Sequence, residues 1–403
     1  MFDYSGQLMG GENYIASYFS IQINASENLR SYLTAMRTKP FLLLAGISGT
    51  GKSRIVKQMA FESCPDIPAL RSDKTAPGNY ELIEVKPNWH DSSELLGYES
   101  EIGVSHYVAT PFIKFLVKAM RYPDVPFFVC MDEMNLAPVE QYFAEFLSVL
   151  ESRKLLSDGT ITSEPLIKAD IFSKYADQLH RDLDITDSDT YKAVYDRLKN
   201  DGLRLPSNLI VVGTVNMDET THQFSRKVID RAMTIEMNIE DAETPFVEFF
   251  DGKSVLEYKE NPSGKDLFLP KVVQASEALS ILRAEDASYL KENVPGQLHS
   301  LNSALNGTPF KIAYRVQNEL ILYFFSLREE NPDETAEALL TQAIDAILMM
   351  KVLPRIEGDE DLLDKPLKEL AAFTAERNCT ASSNKIAEMQ ERLPRAHFTS
   401  FWP

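Results

Sequence analysis

The sequence predicts an α/β fold, a parallel sheet with helices on both faces, followed by a mainly helical C-terminal region. Three observations carry that reading. Five short apolar runs rich in Val, Ile, Leu or Phe show little polar alternation, as strands buried on both faces require. Helical patterns separate the runs, and this alternation argues for right-handed parallel crossovers. Beyond about residue 241 the strand signal fades and amphipathic helical stretches take over.

The five runs are FLLLAG (41–46), ELIEVKP (81–87), FFVCMDE (127–133), LIVVGTVN (209–216) and MTIEM (233–237). The clearest helix is PVEQYFAEFLSVLESR, where Val139, Tyr142, Phe143, Phe146, Leu147 and Leu150 fall on one stripe. Residues 154–206 form a polar region read as a partly helical insertion, with AVYDRLKN its best helical piece. VVQASEALSILRA, AYRVQNELILYFFSLREE and ETAEALLTQAIDAILMMKVL read as amphipathic helices, and NPSGKD (261–266) reads as a linker. The expected organisation is a segment 1–30, an α/β domain over 31–240 with insertions near 88–112 and 154–206, and a helical lid and C-terminal region over 241–403.

Composition narrows the function. The chain has 403 residues, 44% hydrophobic and 25% charged, ordinary for a globular protein with a large core. No uninterrupted apolar run reaches the roughly eighteen residues of a membrane span, and the start does not read as a signal peptide. Cys64, Cys130 and Cys379 lack metal-ligand spacing and read as reduced, mostly structural thiols of a cytoplasmic protein. A net charge of −19 repels phosphate backbones, so general DNA affinity is not expected.

GISGTGKS (46–53) fits G-x-x-x-x-G-K-[ST] between a strand and the helix SRIVKQMA, the context that makes such a match specific. Gly46, Gly49 and Gly51 let the backbone wrap an anion, while Ser48 and Thr50 complete the loop. Its N–H groups and the helix N-terminus would face phosphates, with Lys52 reaching the β- and γ-phosphates and Ser53 ligating Mg²⁺. FFVCMDE ends in two acids: Asp132 to hold Mg²⁺ and Glu133 to polarise the attacking water. In a sheet ordered 5-1-4-3-2 the strand ending at Asn216 lies between these two strands, and its amide can orient that water.

Together these residues resemble the AAA+ proteins, and within them the McrB-like motors, relatives of the MoxR and dynein–midasin branch. The resemblance rests on GISGTGKS, NWHDSSELLGY (88–98), CMDEMNLAPVEQYFAEFLSVLE (130–151), GTVNMDETTHQFSRKVIDRA (213–232), AYRVQNELILYF (313–324) and KVLPRIEG (351–358), and spans roughly 40–370. It implies a homo-oligomeric ring, usually a hexamer, in which Arg226 or Arg231 completes a neighbour's site, and a lid helix whose Arg315 senses the γ-phosphate. It also implies an insertion before the acidic strand, whose Trp89, His90 and Tyr107 line a pore, contact a partner or pack structurally. One departure stands out: after the sensor asparagine this branch reads M-N-T-A-D-R-S, whereas here Glu219 takes the acidic position and Thr220 stands where the arginine would be. ATP and GTP both stay open.

The expected function is therefore the motor subunit of an McrBC-like restriction or defence complex, coupling hydrolysis to DNA translocation or to a partner McrC-like nuclease. Only about forty residues precede the P-loop, and no nuclease constellation of acids and lysine occurs, so reading and cutting DNA are expected of a separate subunit. The alternative is a MoxR-like ATPase that remodels protein partners. A non-cycling nucleotide-binding scaffold fits poorly with Glu133 and Asn216.

Overall fold

The computed structural model describes residues 27–185, 189–217, 224–237 and 256–402. They form two compact units, one of residues 40–231 with 236–265, the other of residues up to 39 with 232–235 and 266–403.

A five-stranded sheet comprises β1 (Phe41–Gly46), β2 (Tyr80–Glu84), β3 (Phe127–Asp132) and β4 (Leu209–Asn216), all in the first unit, and β5 (Met233–Glu236), whose residues 233–235 are grouped with the second. From edge to edge the order is β5-β1-β4-β3-β2, and the β1–β4, β4–β3 and β3–β2 pairs are parallel. β1 is buried along its whole length, as are all but the last residues of β3 and β4. Side chains alternate across a sheet, so such strands must be covered on both faces, which explains their unbroken apolar sequence. β2 differs. It lies at an edge, starts one residue earlier than the pattern predicts, and leaves Leu82 43% exposed.

The helix Lys52–Ser63 follows β1 and turns Lys52, Val56, Met59, Ala60 and Ser63 inward at helical spacing. Pro111–Arg121 starts at Thr110, whose hydroxyl accepts the Ile113 N–H, and has Pro111 in its first turn, where a missing N–H costs nothing. The stripe predicted for residues 138–153 is buried at all six positions, yet it spans two helices, Val139–Tyr142 and Ala144–Glu151. Phe143 breaks the helix at φ −109° and ψ 6°. Its ring stacks 4.4 Å from Phe146 and lies 5.6 Å from Phe41 of β1. Aromatic packing holds a conformation that helical periodicity does not announce.

Two insertions interrupt this unit. The first carries the helix Ser93–Leu96 and an antiparallel hairpin, Tyr98–Ser100 with His106–Val108. Trp89 and Tyr107 are core residues there: Trp89 meets the Tyr142 ring edge-on at 5.2 Å, and the Tyr107 hydroxyl donates to Leu96 O at 2.6 Å. His90 is exposed. In the second, the antiparallel pairs 154–155 with 161–162 and 165–167 with 203–204 accompany the helices Ala169–Lys174, Ala176–Asp182 and Asp189–Asp201.

The second unit is helical: Glu27–Thr38, Ala275–Ile281, Ala284–Ala304, Tyr314–Glu330, Ala336–Ile347, Glu360–Glu376 and Thr380–Ala396. The pattern predicted through 353 leaves the α-helix at Ile347 and continues as a π turn, Leu348–Val352. A small antiparallel pair, Glu357–Asp359 with Phe398–Ser400, was not legible, since three-residue strands carry too little pattern. Glu27–Thr38 packs on Tyr314–Glu330 through a buried ion pair of Arg37 with Glu330, and the Thr34 hydroxyl donates to the same carboxylate at 2.6 Å. Glu319, also buried, takes Lys39 and Lys351 at 2.9 Å each.

Candidate functional site

The parallel register sets Gly46 of β1 beside Asn216 of β4, and Gly213 of β4 beside Met131 of β3. Three strands thus release their chains side by side at their carboxyl ends, where open parallel sheets place ligands. The predicted loop leaves β1 there and closes on itself. Lys52, 6% exposed, donates from Nζ to the carbonyls of Gly46 at 3.0 Å and Ile47 at 2.7 Å, while the Thr50 hydroxyl donates to Ile47 O at 3.1 Å. Two glycines are dictated by this geometry. A Cβ at Gly46 would stand 2.3 Å from Met237 O, and Gly51 caps the following helix at φ +82°, a left-handed conformation that side chains disfavour. Ile47, Ser48 and Gly49 are exposed, and Ser53 is half-buried in the first turn of the twelve-residue helix. The loop therefore offers backbone and a helix N-terminus to an anion.

The acidic pair faces this loop's strand across β4. Successive strand residues point to opposite faces, so Asp132 and Glu133 would diverge if β3 continued. It does not. Glu133 is left-handed, φ 51° and ψ 50°, and opens the short 3₁₀ turn Met134–Leu136. Both carboxylates then reach the same side of β4. Asp132 Oδ1 accepts the Thr214 hydroxyl at 2.8 Å, and Glu133 Oε1 accepts the Asn216 amide at 3.2 Å. Thr214 and Asn216 are two residues apart and share a face. The Thr214 hydroxyl also accepts the Glu133 backbone N–H at 2.9 Å.

Sequence reasoning missed Thr214. Its signal was a polar residue inside a wholly apolar strand, at the same parity as Asn216. Burial of a hydroxyl in such a strand calls for hydrogen-bond partners, and here they are the two acids.

The arginines stand apart. Arg226 opens the short helix Arg226–Ile229 and is exposed, whereas Arg231 is half-buried and donates from Nη1 to Lys227 O at 2.9 Å. Arg315 lies in the first turn of Tyr314–Glu330, in the helical unit. Glu219 and Thr220 fall outside the described residues. A separate cavity of about 440 Å³ runs along β2, between Glu81, Glu84, Trp89 and Phe112, and none of the predicted nucleotide-site residues lines it.

Residues 271–398 match the model of a domain of unknown function (DUF8727), over most of the helical unit. No protein of curated function matches the chain. Among solved structures, a "putative ATPase" from Cytophaga hutchinsonii ATCC 33406 is similar at 13% identity and a TM-score of 0.48, over 85% of this chain and 88% of that one.

Proposed function

We propose that the chain is a nucleoside-triphosphate hydrolase, with ATP or GTP as substrate, and that it serves as the motor subunit of an McrBC-like complex. The observation that carries this reading is the convergence at the sheet's carboxyl end. A glycine loop with a buried lysine, an acidic pair and an asparagine come from three adjacent strands, and Asn216 holds Glu133 at 3.2 Å.

The loop's N–H groups and Lys52 bind phosphates, and Glu133 accepts a proton from the attacking water that Asn216 orients. Mg²⁺ fits the donors: Asp132 and the Ser53 hydroxyl are hard oxygen ligands. Such a cation keeps several waters and takes phosphate oxygens, so one carboxylate and one hydroxyl from the protein are enough. When bound it neutralises charge on the phosphates. Arg226, exposed at the start of its helix, is better placed than Arg231 to reach a neighbour in a ring, and Arg315 is the lid's phosphate sensor.

Purified protein assayed for ATP and GTP hydrolysis tests the reading, with Lys52→Ala as the control that loses binding. Hydrolysis of neither nucleotide, alone or with a McrC-like nuclease, rejects it. The net charge of −19 supports the second reading, a MoxR-like ATPase acting on proteins, because unaided DNA binding is costly for such a surface. Weak, salt-sensitive DNA binding that strengthens with a partner nuclease favours the first. No DNA binding even with that partner favours the second.

A further inference from the structure

Asp132 and Glu133 are adjacent in sequence, yet their carboxylates serve one side of the sheet, and the Thr214 hydroxyl links them. Thr214 is 2% exposed, and its hydroxyl is spent on these two residues, donating to Asp132 Oδ1 at 2.8 Å and accepting from Glu133 N at 2.9 Å. Both bonds cross from β4 to β3. The second fixes a backbone N–H at a non-glycine residue in the left-handed region, φ 51°, a conformation that persists only where its surroundings determine it. The first leaves Asp132 Oδ1 oriented by a neutral donor rather than by a cation.

We propose that Thr214 is a positioning residue for hydrolysis: its hydroxyl aims the Asp132 carboxylate at the metal and holds the left-handed turn that points Glu133 toward Asn216. This rests on the nucleotide-hydrolase reading above. Thr214 touches neither nucleotide nor metal in this role. It acts through both acids at once, so its loss must disturb metal affinity and turnover together while sparing nucleotide contacts made by the Gly46–Ser53 loop.

Thr214→Val keeps the side-chain shape and removes both hydrogen bonds; Thr214→Ser keeps the hydroxyl. Three quantities separate the outcomes: turnover, the affinity of Mn²⁺ for the protein–nucleotide complex measured by electron paramagnetic resonance, and nucleotide affinity in EDTA. Thr214→Val should lower both turnover and Mn²⁺ affinity by about tenfold or more, the range seen when an outer hydrogen-bond partner of a metal ligand is removed. Nucleotide affinity in EDTA should stay within about twofold of wild type, because those contacts belong to the loop. Thr214→Ser should recover both quantities. Should Thr214→Val not fold, Thr214→Cys is read in its place, since a thiol is a weak donor and acceptor. A folded Thr214→Val with wild-type turnover and Mn²⁺ affinity overturns the role, as does a Thr214→Ser as impaired as Thr214→Val. A wild-type chain that hydrolyses neither ATP nor GTP, alone or with a McrC-like nuclease, defeats the functional reading itself, and this inference with it. Wild-type hydrolysis with an unaffected Thr214→Val defeats only the inference.

Discussion

The Asn216 side-chain amide donates to Glu133 Oε1 at 3.2 Å, joining the carboxyl ends of β4 and β3. The amide thus orients the carboxylate, and in the proposed reaction it would also orient the water that Glu133 activates. Glu133→Gln should keep nucleotide binding and lower turnover by about a hundredfold or more, the range for loss of a general base. Asn216→Ala should also lower turnover, and the double variant should fall little below Glu133→Gln alone, because coupled groups are non-additive. Steady-state rates of the three variants decide it; additive losses would show that the two residues act independently.

Arg226 and Arg231 are five residues apart but differ in exposure, and Arg231, in the turn after the helix, is tied to Lys227 O. If Arg226 completes a neighbouring subunit's site, specific activity should rise with protein concentration. Mixing inactive Glu133→Gln and Arg226→Ala subunits should then restore part of the activity. Sedimentation that finds a fully active monomer at every concentration would remove the idea.

Glu330 is buried, and burial raises its carboxyl above the usual value of 4.5 although Arg37 and Thr34 oppose the shift. A raised folded-state value means that ionising Glu330 costs stability. The cost is absent below about pH 4.5, where folded and unfolded chains are both protonated, and grows as pH rises toward the folded-state value. Arg37→Leu removes the opposing charge. It should destabilise by about 3–5 kcal/mol near pH 7.5, the figure for one partner of a buried pair, and by less near pH 5. Urea unfolding at the two pH values measures the difference, and an equal loss at both would contradict this account.

All three cysteines are buried. Burial pushes the thiols of Cys130 and Cys379 up to about 12 from 9.0, and raises that of Cys64 as well. The native chain should therefore resist iodoacetamide near pH 8, since the thiolate is the nucleophile, and should take up three equivalents once denatured. The sign for stability follows. Between about 9 and about 12 the unfolded chain loses protons that the folded chain keeps, so stability should fall as pH rises through that interval. Mass spectrometry of the alkylated native protein checks the first expectation, and thermal unfolding across the alkaline range checks the second.

What could be read from the chain alone was local. The apolar runs that became β1, β3 and β4 announce themselves because a strand covered on both faces must be mostly apolar. The glycine loop was legible for a similar reason: positive φ at Gly49 and Gly51 restricts the residue type at the position itself. Other features depend on residues far away in the chain. The 138–153 stripe breaks at Phe143, whose ring packs on Phe41, and the exposed Leu82 follows from β2 lying at an edge. Trp89 and Tyr107, open in sequence between pore, partner and core, are settled as core by Tyr142 and Leu96 O. Thr214 is the sharpest case. Its partners Asp132 and Glu133 lie 82 and 81 residues away, and only the register between β3 and β4 brings them within a hydrogen bond. Local pattern tells which residues must be buried or bent; which polar groups meet inside is decided by the pairing of strands, because a hydrogen bond depends on position to a few tenths of an ångström.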